Sequence, residues 1–108
     1  MNILIFGDNT GIPQLLRHIP TVNLVGIVCA SIRPEYHNEL LETAKSQGLP
    51  LLIQPLVTSP DYEMFGQMIG RLMPDLIFVN SYSMIIREDI LAIPRFGGIN
   101  IHGALLPK

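Results

Sequence analysis

Five short apolar runs punctuate the chain: NILIFG at 2–7, NLVGIVCA at 23–30, LPLLI at 49–53, DLIFVN at 75–80 and GGINIH at 97–102. The first four are continuous through their middles rather than alternating, which is the pattern of strands covered on both faces. Between them the spacing of apolar residues changes from strand-like to helical, so the order reads strand then helix, four times over, with a closing strand. No stretch carries the tight-turn signal of a hairpin. The expected fold class is therefore α/β, a doubly wound and mainly parallel sheet of about five strands with helices on both faces.

The helical segments have individual marks. Ile12, Leu15, Leu16 and Ile19 fall at i, i+3, i+4 and i+7, with Pro13 near the start and Pro20 beyond the end. Tyr36, Leu40, Leu41 and Ala44 predict a second apolar face, stopped by Gly48 and Pro50. Ser59 and Pro60 read as N-cap and first helical residue, with Asp61 and Glu63 where the helix dipole favours anions. Tyr62, Phe65, Ile69 and Leu72 then line one face up to Pro74, and REDILAI forms a last short helix.

With 108 residues, one domain at most is expected. Hydrophobic residues make up 48% and charged ones 15%, richer in apolar surface than a free-standing domain of this size needs. Some of that surface is expected to lie against another part or another chain. The net charge of −2, with Lys and Arg scattered singly, gives no footprint for nucleic acid. A single cysteine, Cys29, permits no internal disulfide and reads as a structural thiol in a strand. The first apolar run lacks a basic leader and is too short for a signal peptide, and no run reaches the ~20 apolar residues of a membrane span. A soluble, cytoplasmic protein is the expectation.

Chemistry is sought first in the turn after the first strand, GDNTGIP. It has Gly7 and Gly11 but not the three glycines of a dinucleotide-binding turn, and no Lys-Ser or Lys-Thr of a phosphate loop follows. It reads as a plain tight turn or, less simply, as an anion site at a helix N-terminus. Of the three histidines, His18 is expected in the last turn of the first helix and His37 on the second, both solvated. No pair has metal-ligand spacing, so no metal is expected.

His102 differs. It stands two positions from Asn100, and residues two apart in a strand share a face, so both would leave one side of the sheet while Ile99 and Ile101 leave the other. They also sit at the carboxyl end of a strand, outside which open parallel sheets bind ligands. By spacing alone the pair is either a satisfied core pair or a ligand-facing one. The segment NSYSMII after the fourth strand would form a loop on that same edge, either an ordinary lead into a helix or a holder for a flat heterocycle through Met84, Ile85 and main-chain groups.

INIHGALLPK, taken with PDLIFVNSYSMIIREDILAIPRFGG, resembles the amino-terminal half of the folate-dependent formyltransferases. That family includes enzymes acting on methionyl-tRNA, glycinamide ribonucleotide and nucleotide sugars, and carries an Asn-x-His strand followed by a small residue, a Ser and Leu-Leu-Pro. The resemblance implies a Rossmann-like fold and transfer of a formyl group from 10-formyltetrahydrofolate to an amine. It implies that Asn100 steadies the formyl oxygen as charge develops on it and that His102 shares in this and moves the proton. It also implies a pterin pocket at Ser81, Tyr82, Met84, Ile85 and Ile86, with Leu105 and Pro107 shaping the loop beside the pair.

Three departures qualify what is implied. Ala104 stands where the family has Ser before Leu-Leu-Pro. The family's third catalytic group, an Asp that orients the imidazole, would fall beyond Lys108, so residues 1–108 are expected to be the first portion of a catalytic domain and inactive alone. The closing strand would then expose an apolar edge open to self-association. Finally, GDNTGIPQ lacks the Thr-Pro-Glu-Phe-like stretch of the methionyl-tRNA enzymes. The expected acceptor is therefore a small-molecule amine such as a nucleotide-linked amino sugar, with methionyl-tRNA, and a non-catalytic binding module, as alternatives.

Overall fold

The strands form where the continuous apolar runs place them: β1 (Asn2–Gly7), β2 (Asn23–Ala30), β3 (Leu51–Gln54), β4 (Leu76–Asn80) and β5 (Gly98–Ile101). The structure, a computed structural model, describes residues 1–101. All four pairings are parallel, in the order β3-β2-β1-β4-β5. The chain winds outward from β1 in one direction to β3, then crosses back to β4 and β5. The order reverses between β1 and β4, the topological switch point at which open α/β sheets bind ligands.

Among the described residues four helices cover the sheet: α1 (Gly11–Leu16), α2 (His37–Gln47), α3 (Tyr62–Leu72) and α4 (Glu88–Leu91), with a 3-10 turn at Pro34–Tyr36 leading into α2. Alternate residues of each inner strand are buried on opposite sides, which accounts for the unbroken apolar runs. Leu4, Phe6, Val28 and Ile77 pack with Phe65 and Ile69 of α3 and Ile90 of α4. Ile3 and Ile5 pack with Leu16 of α1, and Ile27 and Cys29 with Leu40 and Ala44 of α2. The doubly wound parallel architecture expected from the sequence is the one observed.

Several local expectations shift. The stripe of the first helix does not hold: α1 ends at Leu16, and Leu15, 60% exposed, and Ile19 face solvent while Pro13 and Leu16 are buried. His18 N–H bonds to the Leu15 carbonyl and Ile19 N–H to Leu16, a tightened 3-10 end that rotates later side chains off the stripe. Pro20 disfavours helical backbone at Ile19, so His18 lies beyond the helix. On α2, Leu41 is exposed and Thr43 takes the inward position, while the stop at Gly48 comes as expected through a left-handed residue with φ 69°. His37 is half-buried rather than solvated, its Nε2–H donating to the Ala30 carbonyl at 2.8 Å.

The start of α3 is two residues later than Ser59-Pro60 suggested. Asp61 is the N-cap, and Ser59 caps the preceding turn, its Oγ accepting the Asp61 N–H at 3.1 Å. The inward face of Phe65 and Ile69, flanked by Tyr62 and Leu72, is as expected. No helix among the described residues is long and apolar enough to cross a membrane.

Candidate functional site

Where β1 and β4 run side by side at their carboxyl ends, the backbones approach so closely that a Cβ on Gly7 would lie 2.8 Å from the Asn80 carbonyl oxygen. One residue later Ser81 takes a left-handed conformation, φ 51°, uncommon for a residue with a side chain. This turns the chain off the strand and lays residues 81–86 across the edge of the sheet. The Ser81 carbonyl accepts the Asp8 N–H at 3.2 Å, joining the two strand ends.

Asp8 then turns its carboxylate under the loop. Oδ2 accepts the Ser83 N–H at 2.9 Å and the Ser83 hydroxyl at 2.6 Å, and Oδ1 accepts the Ala30 N–H at 3.2 Å. A carboxylate only 6% exposed is tolerable because three donors surround it. Gln54, at the end of β3 and 3% exposed, reaches the same loop from the other side. Its Oε1 accepts the Tyr82 hydroxyl at 2.5 Å and its amide donates to the Ile85 carbonyl at 3.1 Å. Burial, then the charges of Asp8 and Cys29, push the Tyr82 phenol well above its ordinary range, so it stays a neutral donor. Its ring meets Phe6 edge-on at 5.4 Å.

On the β5 side of this loop lies a cleft of about 470 Å3. Ser81, Tyr82, Ser83, Met84, Ile85 and Ile86 form one wall, Leu91 of α4 and Val79 of β4 lie within it, and Gly98, Ile99 and Asn100 form the other side. Asn100 pairs in register with Val79, so it emerges on the α3 and α4 face. The Asn80 amide donates to the Ile101 carbonyl at 3.1 Å, fixing the end of β5 against β4. The cleft thus gathers Asn100 with all five loop residues singled out in the sequence. His102, Leu105 and Pro107 lie outside the described residues.

The apolar residues Met84, Ile85 and Ile86 of this wall differ from one another. Ile86 packs partly into the core, Met84 accepts a hydrogen bond from the Ser31 hydroxyl at 3.8 Å, and Ile85 is 84% exposed. The β1–α1 turn is a plain one: Asn9 Oδ1 accepts the Gly11 N–H at 3.0 Å, and the carboxylate of Asp8 points inward. Among the described residues no group of His, Cys, Asp or Glu could hold a metal ion.

Asp8 and Gln54 are not among the residues that the sequence singles out, whereas Asn80 and Ser83 belong to its NSYSMII segment. Asp8 and Gln54 are polar residues just past or at the end of a strand, the mark that also distinguishes Asn100 and His102.

Fold and site together define an α/β protein with an open cleft beside the carboxyl ends of β4 and β5 of a parallel sheet. A profile of the formyl transferase family matches residues 14–108, and the chain belongs to that family. It is 35% identical over 115 residues to the methionyl-tRNA formyltransferase of Dictyoglomus turgidum, covering 100% of this chain and 36% of that protein. The methionyl-tRNA formyltransferase of Clostridium beijerinckii is 30% identical, covering 99% and 36%. The chain therefore spans about a third of the length of these relatives. In fold it is similar to the phosphoribosylglycinamide formyltransferase of Streptococcus pneumoniae TIGR4, with a TM-score of 0.69 and 23% identity over 98% of this chain and 58% of that one. Glycinamide ribonucleotide transformylase 1 of Symbiobacterium toebii gives 0.67 and 20% over 99% and 53%.

Proposed function

We propose that this chain is the amino-terminal portion of a catalytic domain that transfers a formyl group from 10-formyltetrahydrofolate to an amine. The observation that carries the proposal is the convergence of residues 81–86 and Asn100 on one cleft, in a chain of this family. The cleft lies within the range of roughly 300–1,000 Å3 usual for small-ligand sites. Its apolar walls, with loop main chain between them, suit a flat heterocycle.

In this reading the Asn100 amide donates to the formyl oxygen as the amine adds to the formyl carbon and charge builds there. An aimed donor of this kind contributes about 3 kcal/mol. His102 takes the proton that the attacking nitrogen loses and returns it to the departing one, so a carbon–nitrogen bond forms, another breaks and no net charge is created. Titration of the chain with 5-formyltetrahydrofolate, which does not transfer its formyl group here, tests the cleft. Binding that shifts the amide resonances of residues 81–86 is expected. Absence of binding would overturn the reading in favour of a non-catalytic module.

For the acceptor, the poor match of GDNTGIPQ to the methionyl-tRNA enzymes supports a nucleotide-linked amino sugar. The names of the relatives at 30–35% identity support methionyl-tRNA as a second reading. Competition between the two amines for formyl transfer, in a protein that carries the complete catalytic domain, decides between them.

A further inference from the structure

Buried polar side chains are few in this chain: Asp8, Thr43 and Gln54 among the described residues. Two of the three converge on one surface loop, from different strands. Asp8 takes both donors of Ser83 while holding the end of β2 through Ala30. Gln54 bonds the Tyr82 hydroxyl and, three residues on, the Ile85 carbonyl. Since a carbonyl can only accept, the Ile85 bond also fixes which way the Gln54 amide faces. A surface loop could satisfy these groups with water. Here they are bonded to buried partners instead, with Met84 between the fixed points and Ile86 directly after the last.

We propose that Asp8 and Gln54 are positioning residues, holding residues 81–86 in the shape that lines the cleft and so setting the affinity for the folate without touching it. The inference rests on the folate reading above. Its physical basis is preorganisation: a loop already ordered loses less conformational freedom when a ligand binds. Neither residue forms part of the cleft lining, so loss of either bond set acts on the ligand only through the loop.

The test uses the 108-residue chain and 5-formyltetrahydrofolate as probe. Asp8→Asn places an amide donor against donors, and Gln54→Leu removes both bonds at similar volume. Each should raise the dissociation constant about tenfold, the factor that follows from loss of about one buried hydrogen-bond set. Ile27→Val, buried beneath α2 on the other face of the sheet, should lower the unfolding temperature and leave the dissociation constant unchanged.

Gln54→Glu supplies a readout that a merely structural role would not move. Its carboxylate repels the Ile85 carbonyl near neutral pH, while its protonated form can donate to it, so affinity should recover towards the unsubstituted value as the pH falls. If Asp8→Asn does not fold, Ser83→Ala, which keeps the Ser83 N–H bond to Asp8 but removes both the hydroxyl's bond to Asp8 and the one it accepts from Arg33 Nε–H, is read in its place, with Arg33→Leu as the control for the second bond. Unchanged affinity in the Gln54 and Asp8 or Ser83 variants overturns this proposal alone, as does a flat pH profile for Gln54→Glu. No binding by the unsubstituted chain overturns the folate reading, and this one with it.

Discussion

Gly7→Ala probes the point on which the geometry of the site depends most. The added methyl would stand 2.8 Å from the Asn80 carbonyl oxygen, well inside normal contact. That oxygen is main chain within the β1–β4 ladder, so relief requires the two strands to separate at their carboxyl ends. Forcing extra volume into a packed interior costs about 1–3 kcal/mol. Gly7 has no left-handed φ, so Ala suits the backbone and reduces the entropy of the unfolded chain, an offset of about 0.4–1 kcal/mol. The net loss is about 1–2 kcal/mol, or roughly 4–16 °C in unfolding temperature for a domain of this size.

Gly98→Ala is the internal comparison. Its methyl would meet Leu91 Cδ2 at 2.9 Å, but this is the tip of a side chain that can rotate away. A side chain pushed off its rotamer costs roughly 0.5–1.5 kcal/mol, most of which the same entropic offset removes. Urea unfolding followed by far-UV circular dichroism should give a lower midpoint for Gly7→Ala than for Gly98→Ala, with equal slopes. The strand separation should also lengthen the Asp8 to Ser81 bond and weaken folate binding. A Gly7→Ala chain as stable as Gly98→Ala would refute the reasoning, because it would show that the two strand ends are free to part.

Three further outcomes are expected. Burial, then the charge of Asp8, pushes the Cys29 thiol from its ordinary 9.0 up to about 11, so the folded chain holds that proton more tightly. This contribution to stability is complete below pH 9 and is lost as the pH rises through 11; unfolding midpoints measured from pH 8 to 11 should fall, and less steeply in Cys29→Ala. In a protein that carries the complete catalytic domain, Asn100→Ala and His102→Ala should each lower the rate of formyl transfer by about 10²-fold or more, as steady-state kinetics would show. Ile99 and Ile101 on the outer strand are 45% and 42% exposed, so the 108-residue chain should self-associate at high concentration. Sedimentation equilibrium should show this reduced by Ile99→Lys with Ile101→Lys; a purely monomeric unsubstituted chain would count against it.

Strands were legible because their signal is redundant. Each inner strand is buried on both faces, so the run Leu4, Ile5, Phe6 needs no phase to be recognised, and the same doubling dictates parallel pairing with helices on each side. Helix faces were more legible where the helix is long enough to define its own phase, although on the eleven-residue α2 only Leu40 and Ala44 of the expected face point inward while Leu41 does not. On α3, eleven residues fix the direction of Phe65 and Ile69. On α1, six residues allow a tightened last turn to swing Leu15 and Ile19 away, and no count of apolar spacing foresees that.

The site divides along a similar line. Asn100 was found because a polar residue inside an apolar strand is conspicuous, and because its loop partners follow the neighbouring strand in sequence. Asp8 and Gln54 were missed because each looks ordinary in its own segment: an Asp in a turn, a Gln where a strand ends. Their significance exists only across β1, β3 and the loop after β4, through bonds joining residues 75 and 28 or 31 positions apart in the chain. Polar residues at the carboxyl ends of parallel strands therefore deserve to be weighed as a set, since the topology brings every such end to one edge. Applied to this chain, that rule selects Asp8, Gln54, Asn80 and Asn100 together, two that line or brace the β5 side of the cleft and two that hold its loop.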